Sequence, residues 1–201
     1  MSSRKKRALD TGQPRAIPRS LLFTEISLLV FVLLFLPSFS QAKSFLTQEE
    51  ALRLAFPQGA VVTRKTAFLS EADRKEVAHR TGGAPPPGLV AFYTATKDGR
   101  DAGAAYFDTH VVRTEPETLL VVVDPAGAIA RIEILSFSEP EEYLPRTKWY
   151  GHFEGKHLDD ELSERRGVRP VTGATLTVRA TVDAARRVLA LDAFLREKGK
   201  R

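Results

Sequence analysis

The stretch ETLLVVVDPAGAIARIEILSF, residues 117–137, decides the fold. Glu117–Val123 is a run of β-branched and aliphatic residues, which favour the pleated surface of a strand. Asp124-Pro125-Ala126-Gly127 is a turn by composition, because Pro presets φ and Gly bends freely. From Ala128 to Phe137, Ile129, Arg131, Glu133 and Leu135 set up an in–out pattern that predicts a second strand. Two strands joined by so short a turn must pair antiparallel.

Working outward, Leu89–Thr96 alternates as a strand, Lys97-Asp98-Gly99-Arg100 turns the chain, and Ala104–Arg113 is a further strand candidate. Ala60–Leu69 contains another β-prone stretch at Val61-Val62-Thr63. Thr47 with Glu50 forms a capping-box pattern for a short helix that stops at Pro57, and Ser70 caps a second helix through about Arg80. Gly82-Gly83-Ala84-Pro85-Pro86-Pro87-Gly88 is a loop. After Glu139-Pro140 comes an irregular stretch holding Tyr143, Trp149, Tyr150 and Phe153. A last helix is predicted over about Thr177–Glu197, with Val178, Val182, Ala185, Val188 and Leu189 along one side. The fold class is α+β: a mostly antiparallel sheet packed with helices, closed by a long C-terminal helix.

The 201 residues divide into a leader over 1–42 and a folded domain over 43–201. Of 30 basic and 25 acidic residues, the leader holds six basic and two acidic, so the remainder has a net charge of only +1. Nucleic-acid binding by the folded part thereby loses its electrostatic support. The leader itself reads as an export segment: a basic start, an apolar run from Ile26 to Leu36, and small residues in Ser40-Gln41-Ala42 that suit cleavage. It serves either as a signal peptide or as a retained N-terminal membrane anchor, and either places the domain outside the cytoplasm. The chain has no cysteine, which excludes disulfides, thiolate nucleophiles, Cys-ligated iron–sulfur clusters and thioether-linked haem. With four histidines (His79, His110, His152, His157) and no HExxH, no metal site is assigned.

One segment carries chemistry. Pro170-Val171-Thr172-Gly173-Ala174-Thr175-Leu176-Thr177 stands at the start of the long helix. Gly173 permits a sharp turn, Ala174 keeps the surroundings open, and Thr175 offers a hydroxyl at a helix N-terminus. Free N–H groups and the macrodipole favour phosphate there. The competing reading makes Thr172, Thr175 and Thr177 ordinary turn and N-cap residues.

The segment resembles the flavinylation motif of the FMN-binding domain family. That family includes covalently flavinylated components of the sodium-pumping NADH:quinone reductase and of the Rnf ferredoxin:NAD complex. The resemblance extends over about 89–191 and is sharp only around the motif. It implies FMN bound covalently through its phosphate to the hydroxyl of Thr175, with Thr172, Gly173 and Ala174 completing the motif and a periplasmic flavin transferase performing the attachment. Many members have Asp three positions before the first Ser or Thr, where this chain has Arg169. Arg169 either alters recognition by the transferase or contacts the flavin's negative charge.

A flavin must be held and oriented. Trp149, Tyr150 and Phe153 suit stacking on its ring as well as ordinary core packing. Glu139 suits orienting a loop or lying solvated on the surface, and Thr177 belongs to the same helix start. The resulting expectation is an exported electron carrier, periplasmic or anchored to the inner membrane, that relays electrons between membrane redox complexes or cytochromes. The alternative is a non-redox exported binding or assembly domain that has lost the cofactor. A hydrolase is disfavoured, since no nucleophile–base pair is legible.

Overall fold

The structure is a computed structural model and describes residues 43–159, 162–163 and 166–201. The export segment read at 1–42 lies outside the described residues. Six strands form one antiparallel sheet: β1 (Lys43–Ser44), β2 (Val61–Phe68), β3 (Leu89–Lys97), β4 (Arg100–Val111), β5 (Pro116–Val123) and β6 (Ile129–Phe137). Their spatial order is β1-β6-β5-β4-β3-β2, so each of the strands from β2 to β6 pairs with its neighbour in sequence. The helices are α1 (Gln48–Ala55), α2 (Glu71–Thr81), the single turn α3 (Thr147–Tyr150) and α4 (Thr175–Glu197). Short 3₁₀ turns at Glu141–Tyr143 and Gly151–Phe153 flank α3.

The helix starts follow from local chemistry. Thr47 and Ser70 each close a capping box, with Glu50 and Asp73 as the reciprocating carboxylates. Helix α2 ends at Gly82, whose φ of 67° places it in the left-handed region. Helix α4 begins at Thr175, two residues before the sequence pattern predicts, with Ala174 as its N-cap.

Strand β5 explains the apolar run that set the fold. It lies between β4 and β6, and its side chains are buried on both faces. Leu119, Val121 and Val123 join the main core, while Leu120 and Val122 join a smaller one on the other face. The main core lies between the sheet and α2, α3 and α4, where Val178, Val182, Ala185, Val188 and Leu189 are all buried as their spacing predicts. Burying a valine or leucine of this kind contributes about 1.5–3 kcal/mol, so this helix face is enough to seat α4. Helix α1 alone packs the smaller core, through Ala51.

The in–out pattern of β6 is interrupted near both ends: pairing passes from Ser136 opposite Thr118 to Ile134 opposite Leu119, skipping Leu135, and a like shift occurs near Ile129. Pairing jumps from Arg131 opposite Val122 to Ile129 opposite Val123, leaving Ala130 as a bulge. The extra residue turns Ile129 onto the main-core face with Ile132 and Ile134, whereas Leu135 joins the smaller core.

A further irregularity lies between β3 and β4, where Ala95 pairs with Gly103 and Thr96 with Asp101. Gly103 has φ 109°, and a Cβ placed there would stand 2.5 Å from the carbonyl oxygen of Val123. Gly103→Ala therefore combines a disfavoured conformation with a backbone clash, and should cost about 3 kcal/mol. Urea unfolding reads this directly; an unchanged midpoint would refute the steric account of this bulge.

Candidate functional site

Residues 171–174 form a tight turn, closed by a hydrogen bond of 3.0 Å from the Ala174 N–H to the Val171 carbonyl. Gly173 occupies the third position at φ 87°, a conformation that glycine adopts without cost. Helix α4 starts immediately after it, and no side chain caps the helix. Its first amides are therefore left for solvent or a ligand, at the positive end of the helix dipole.

The three threonines of this segment differ. Thr175 is exposed and Thr172 is exposed, but Thr177 is fully buried. Thr177 donates its hydroxyl to the Tyr143 carbonyl at 2.6 Å, which ties the first turn of α4 to the 3₁₀ turn at 141–143. Only Thr175 combines an exposed hydroxyl with a place in the helix's first turn. It lines a cavity of about 260 Å³ with Arg113, Tyr143, Gly173, Ala174, Leu176 and Thr177.

Arg113 is the cation of this cavity. It follows β4, and its guanidinium lies 4.5 Å above the centre of the Tyr143 ring. Glu139 fixes the loop that carries it. One Glu139 oxygen, Oε1, accepts from the N–H groups of Arg113, Thr114 and Glu115 at 3.0, 2.7 and 2.9 Å. The side chain is almost wholly enclosed, at 7% exposure, so the solvated-surface reading of Glu139 is wrong. Burial pushes its carboxyl up, but the three amides, helped by the charge of Arg113, hold it below the usual carboxylate range.

Trp149 donates its indole N–H to the Arg169 carbonyl at 2.7 Å and so holds the chain three residues before the motif. Its ring meets Tyr150 and Phe153 edge to face, with centroids 4.9 and 5.2 Å away. Trp149 and Phe153 belong to the main core, which favours the packing reading over the ring-stacking one. The Arg169 side chain is exposed, and neither it nor Thr172 lines the cavity. The structure thus brings Gly173, Ala174, Thr175 and Thr177 together and sets Glu139 behind them through Arg113. Sequence reasoning missed Arg113 and the role of Tyr143. The β5–β6 register supplies the missing signal, since Glu117 opposite Phe137 puts the end of β6 beside the 112–115 loop.

Beneath the site runs a buried polar seam between β4 and α4. Arg187 donates to both oxygens of Asp108, at 3.0 and 2.7 Å. His110 bridges Asp108 and Glu117, at 2.9 and 3.1 Å. Burial disfavours the imidazolium, but its hydrogen bonds to Asp108 and Glu117 outweigh this and push His110 up to about 9. Further along, Tyr106 donates its hydroxyl to Asp192 at 2.7 Å. These pairs fix which residues of α4 face β4.

Residues 114–190 match the family model of the FMN-binding domain. Over this part the chain is similar to the FMN-binding domain, which supports reading it as a flavin-binding protein. No curated protein matches the chain. The matched segment begins one residue after Arg113 and includes Glu139, the whole Thr172–Thr175 motif and α4 as far as Ala190.

Two measurements check this geometry. Glu139→Ala leaves three amides without their acceptor and should cost about 2 kcal/mol, with faster hydrogen exchange at 113–115; unchanged exchange would contradict the clamp. His110 has a folded pKa above its ordinary 6.5, so its stabilisation is complete below that pH and is lost as pH rises through about 9. Urea stability should therefore fall from pH 6.5 to 9 more steeply in the wild type than in His110→Gln, and parallel profiles would refute the seam's charge state.

Proposed function

We propose that this protein carries FMN joined through its phosphate to the Thr175 hydroxyl, and that it relays electrons outside the cytoplasm. The observation that carries this reading is the exposed Thr175 hydroxyl on the uncapped first turn of α4, in one cavity with Arg113. The residues fit the phosphate end of FMN. Arg113 would pair with the single negative charge of a phosphodiester, while the α4 amides would donate to its free oxygens. Gly173 turns the chain sharply enough to bring both together. Whole-ligand pockets span about 300–1,000 Å³. At about 260 Å³, the cavity suits the phosphate end and leaves the ring outside.

Bound FMN supplies transfer of one or two electrons; the chain itself provides attachment, orientation and charge. With no cysteine for further redox centres, a membrane redox complex or cytochrome would supply the others. Maturation would need a flavin transferase, and Thr172 and Arg169, exposed beside the turn, form the surface that such an enzyme would read. The leader over 1–42 would deliver the domain to the periplasm and, if retained, hold it at the inner membrane.

The test is the intact mass of the full chain purified from cells that co-express a flavin transferase. A gain equal to FMN less one water, with in-gel fluorescence, is expected in the wild type and in Thr175→Ser. Thr175→Ala should show neither. Arg113→Gln should lower the rate of attachment about tenfold, the loss of one charge-assisted contact. An unmodified wild-type chain beside a transferase active on a control substrate would overturn covalent attachment and favour a domain without the cofactor.

A further inference from the structure

The sheet face away from α4 is only partly covered. Helix α1, of eight residues, packs on it near β6, and among the described residues no helix lies over the rest of β2 and β3. Side chains alternate along a strand, so Val62, Arg64, Thr66 and Phe68 share one face of β2. The register sets Arg64 opposite Tyr93 and Phe68 opposite Leu89. This is the face away from α4, since Ala67 and Leu69 point into the main core. Large apolar side chains stand open to solvent there: Phe68 is 76% exposed, Leu89 55%, Leu54 50% and Val62 40%. Single exposed apolar residues are ordinary on a protein surface, but several on one sheet face mark an interaction site.

The same face carries a cleft of about 830 Å³ between α1 and the β2–β3 edge, floored by Leu52, Phe56 and Tyr93. Three arginines line it, Arg53, Arg64 and Arg131, against one acidic residue, Glu49. Arg53 pairs with Glu49 and Arg131 with Glu133, whereas Arg64 makes no ion pair among the described residues and is free to meet an anionic group. Apolar side chains flanked by arginines match an interface of acyl chains under anionic headgroups.

Chain length favours such an interface over a soluble partner. The apolar run of the leader ends at Leu36, twelve residues before α1 begins at Gln48. Two of them, Lys43 and Ser44, are fixed in β1, so the free stretch over 37–42 extends at most about 25 Å. A retained leader would therefore hold α1 and its cleft close to the bilayer.

From these observations we infer that the open face of β2 and β3, with the cleft beside α1, docks on an anionic lipid surface. The Thr175 cavity belongs to the opposite side of the sheet, where α4 packs, and docking would leave it facing away from the bilayer for a redox partner. This inference goes beyond flavin attachment and rests only on the reading of the leader as a retained anchor.

The absence of cysteine allows a single-site test. The full chain with Val62→Cys, or with Ala193→Cys on α4, is labelled with a fluorophore. Each is reconstituted in vesicles of phosphatidylcholine, alone or with about one-third phosphatidylglycerol, both containing a nitroxide headgroup quencher. Flotation with the neutral vesicles reports the anchor separately. Docking predicts quenching at position 62 at least about fivefold stronger than at 193 in the anionic vesicles, falling away as salt screens the headgroups. The combined Arg53→Glu, Arg64→Glu, Arg131→Glu variant should abolish the difference. The salt titration of the wild-type face makes the same comparison with no charge substitution. Equal quenching at the two positions, or a difference indifferent to lipid charge and salt, would overturn the inference. Protection of position 62 that grows with protein concentration would overturn it too, in favour of contact between copies of the chain.

Discussion

Thr177 lies within the first turn of α4, closed to solvent, and a buried hydroxyl must find an acceptor or destabilise the fold. Its acceptor is the Tyr143 carbonyl, so α4 has one allowed rotation at this end. The far end is fixed in the same way, by Tyr106 on Asp192 and by Arg187 on Asp108. Rotation of α4 by a single residue, about 100°, would strand all of these groups. The apolar face of the helix permits some sliding over the sheet, whereas the polar pairs do not. The outward aim of Thr175 follows from this constraint rather than from any contact made by Thr175 itself.

The cavity is assembled from parts distant in sequence, each fixed by backbone hydrogen bonds. Glu139 never reaches the cavity, but it sets the loop that puts Arg113 there. Trp149 likewise works through the Arg169 carbonyl and orders the approach to the motif. In the proposed reading, a site arranged in this way would present one cation, a row of helix amides and one hydroxyl to the phosphate before it arrives. Such preorganisation lowers the ordering cost of attachment.

Much of the fold was legible in the sequence because its elements carry local signals. The capping boxes at Thr47 and Ser70, the turns at Asp98-Gly99 and Asp124–Gly127, and the one-sided apolar pattern of α4 depend on residues a few positions apart. The exposed place of Thr175 at the start of α4 was legible for the same reason, since the Thr172–Thr175 motif lies within four residues. What escaped depends on register. The bulge at Ala130, which turns Ile129 inward, is invisible in the alternation of β6 alone. Arg113 and Glu139 lie 26 residues apart, and only the pairing of β5 with β6 brings them together. The aromatic cluster could be read either way from the sequence, and Trp149 and Phe153 fill the core that supports the site.

The most direct test of this account is the location of the flavin on the protease-derived peptide spanning 167–179, which contains Thr172, Thr175 and Thr177. Fragmentation of that peptide from flavinylated protein should place the whole of the added mass on Thr175. The same mass on Thr172, which lies outside the cavity, or on Thr177, whose hydroxyl is committed to Tyr143, would contradict the account.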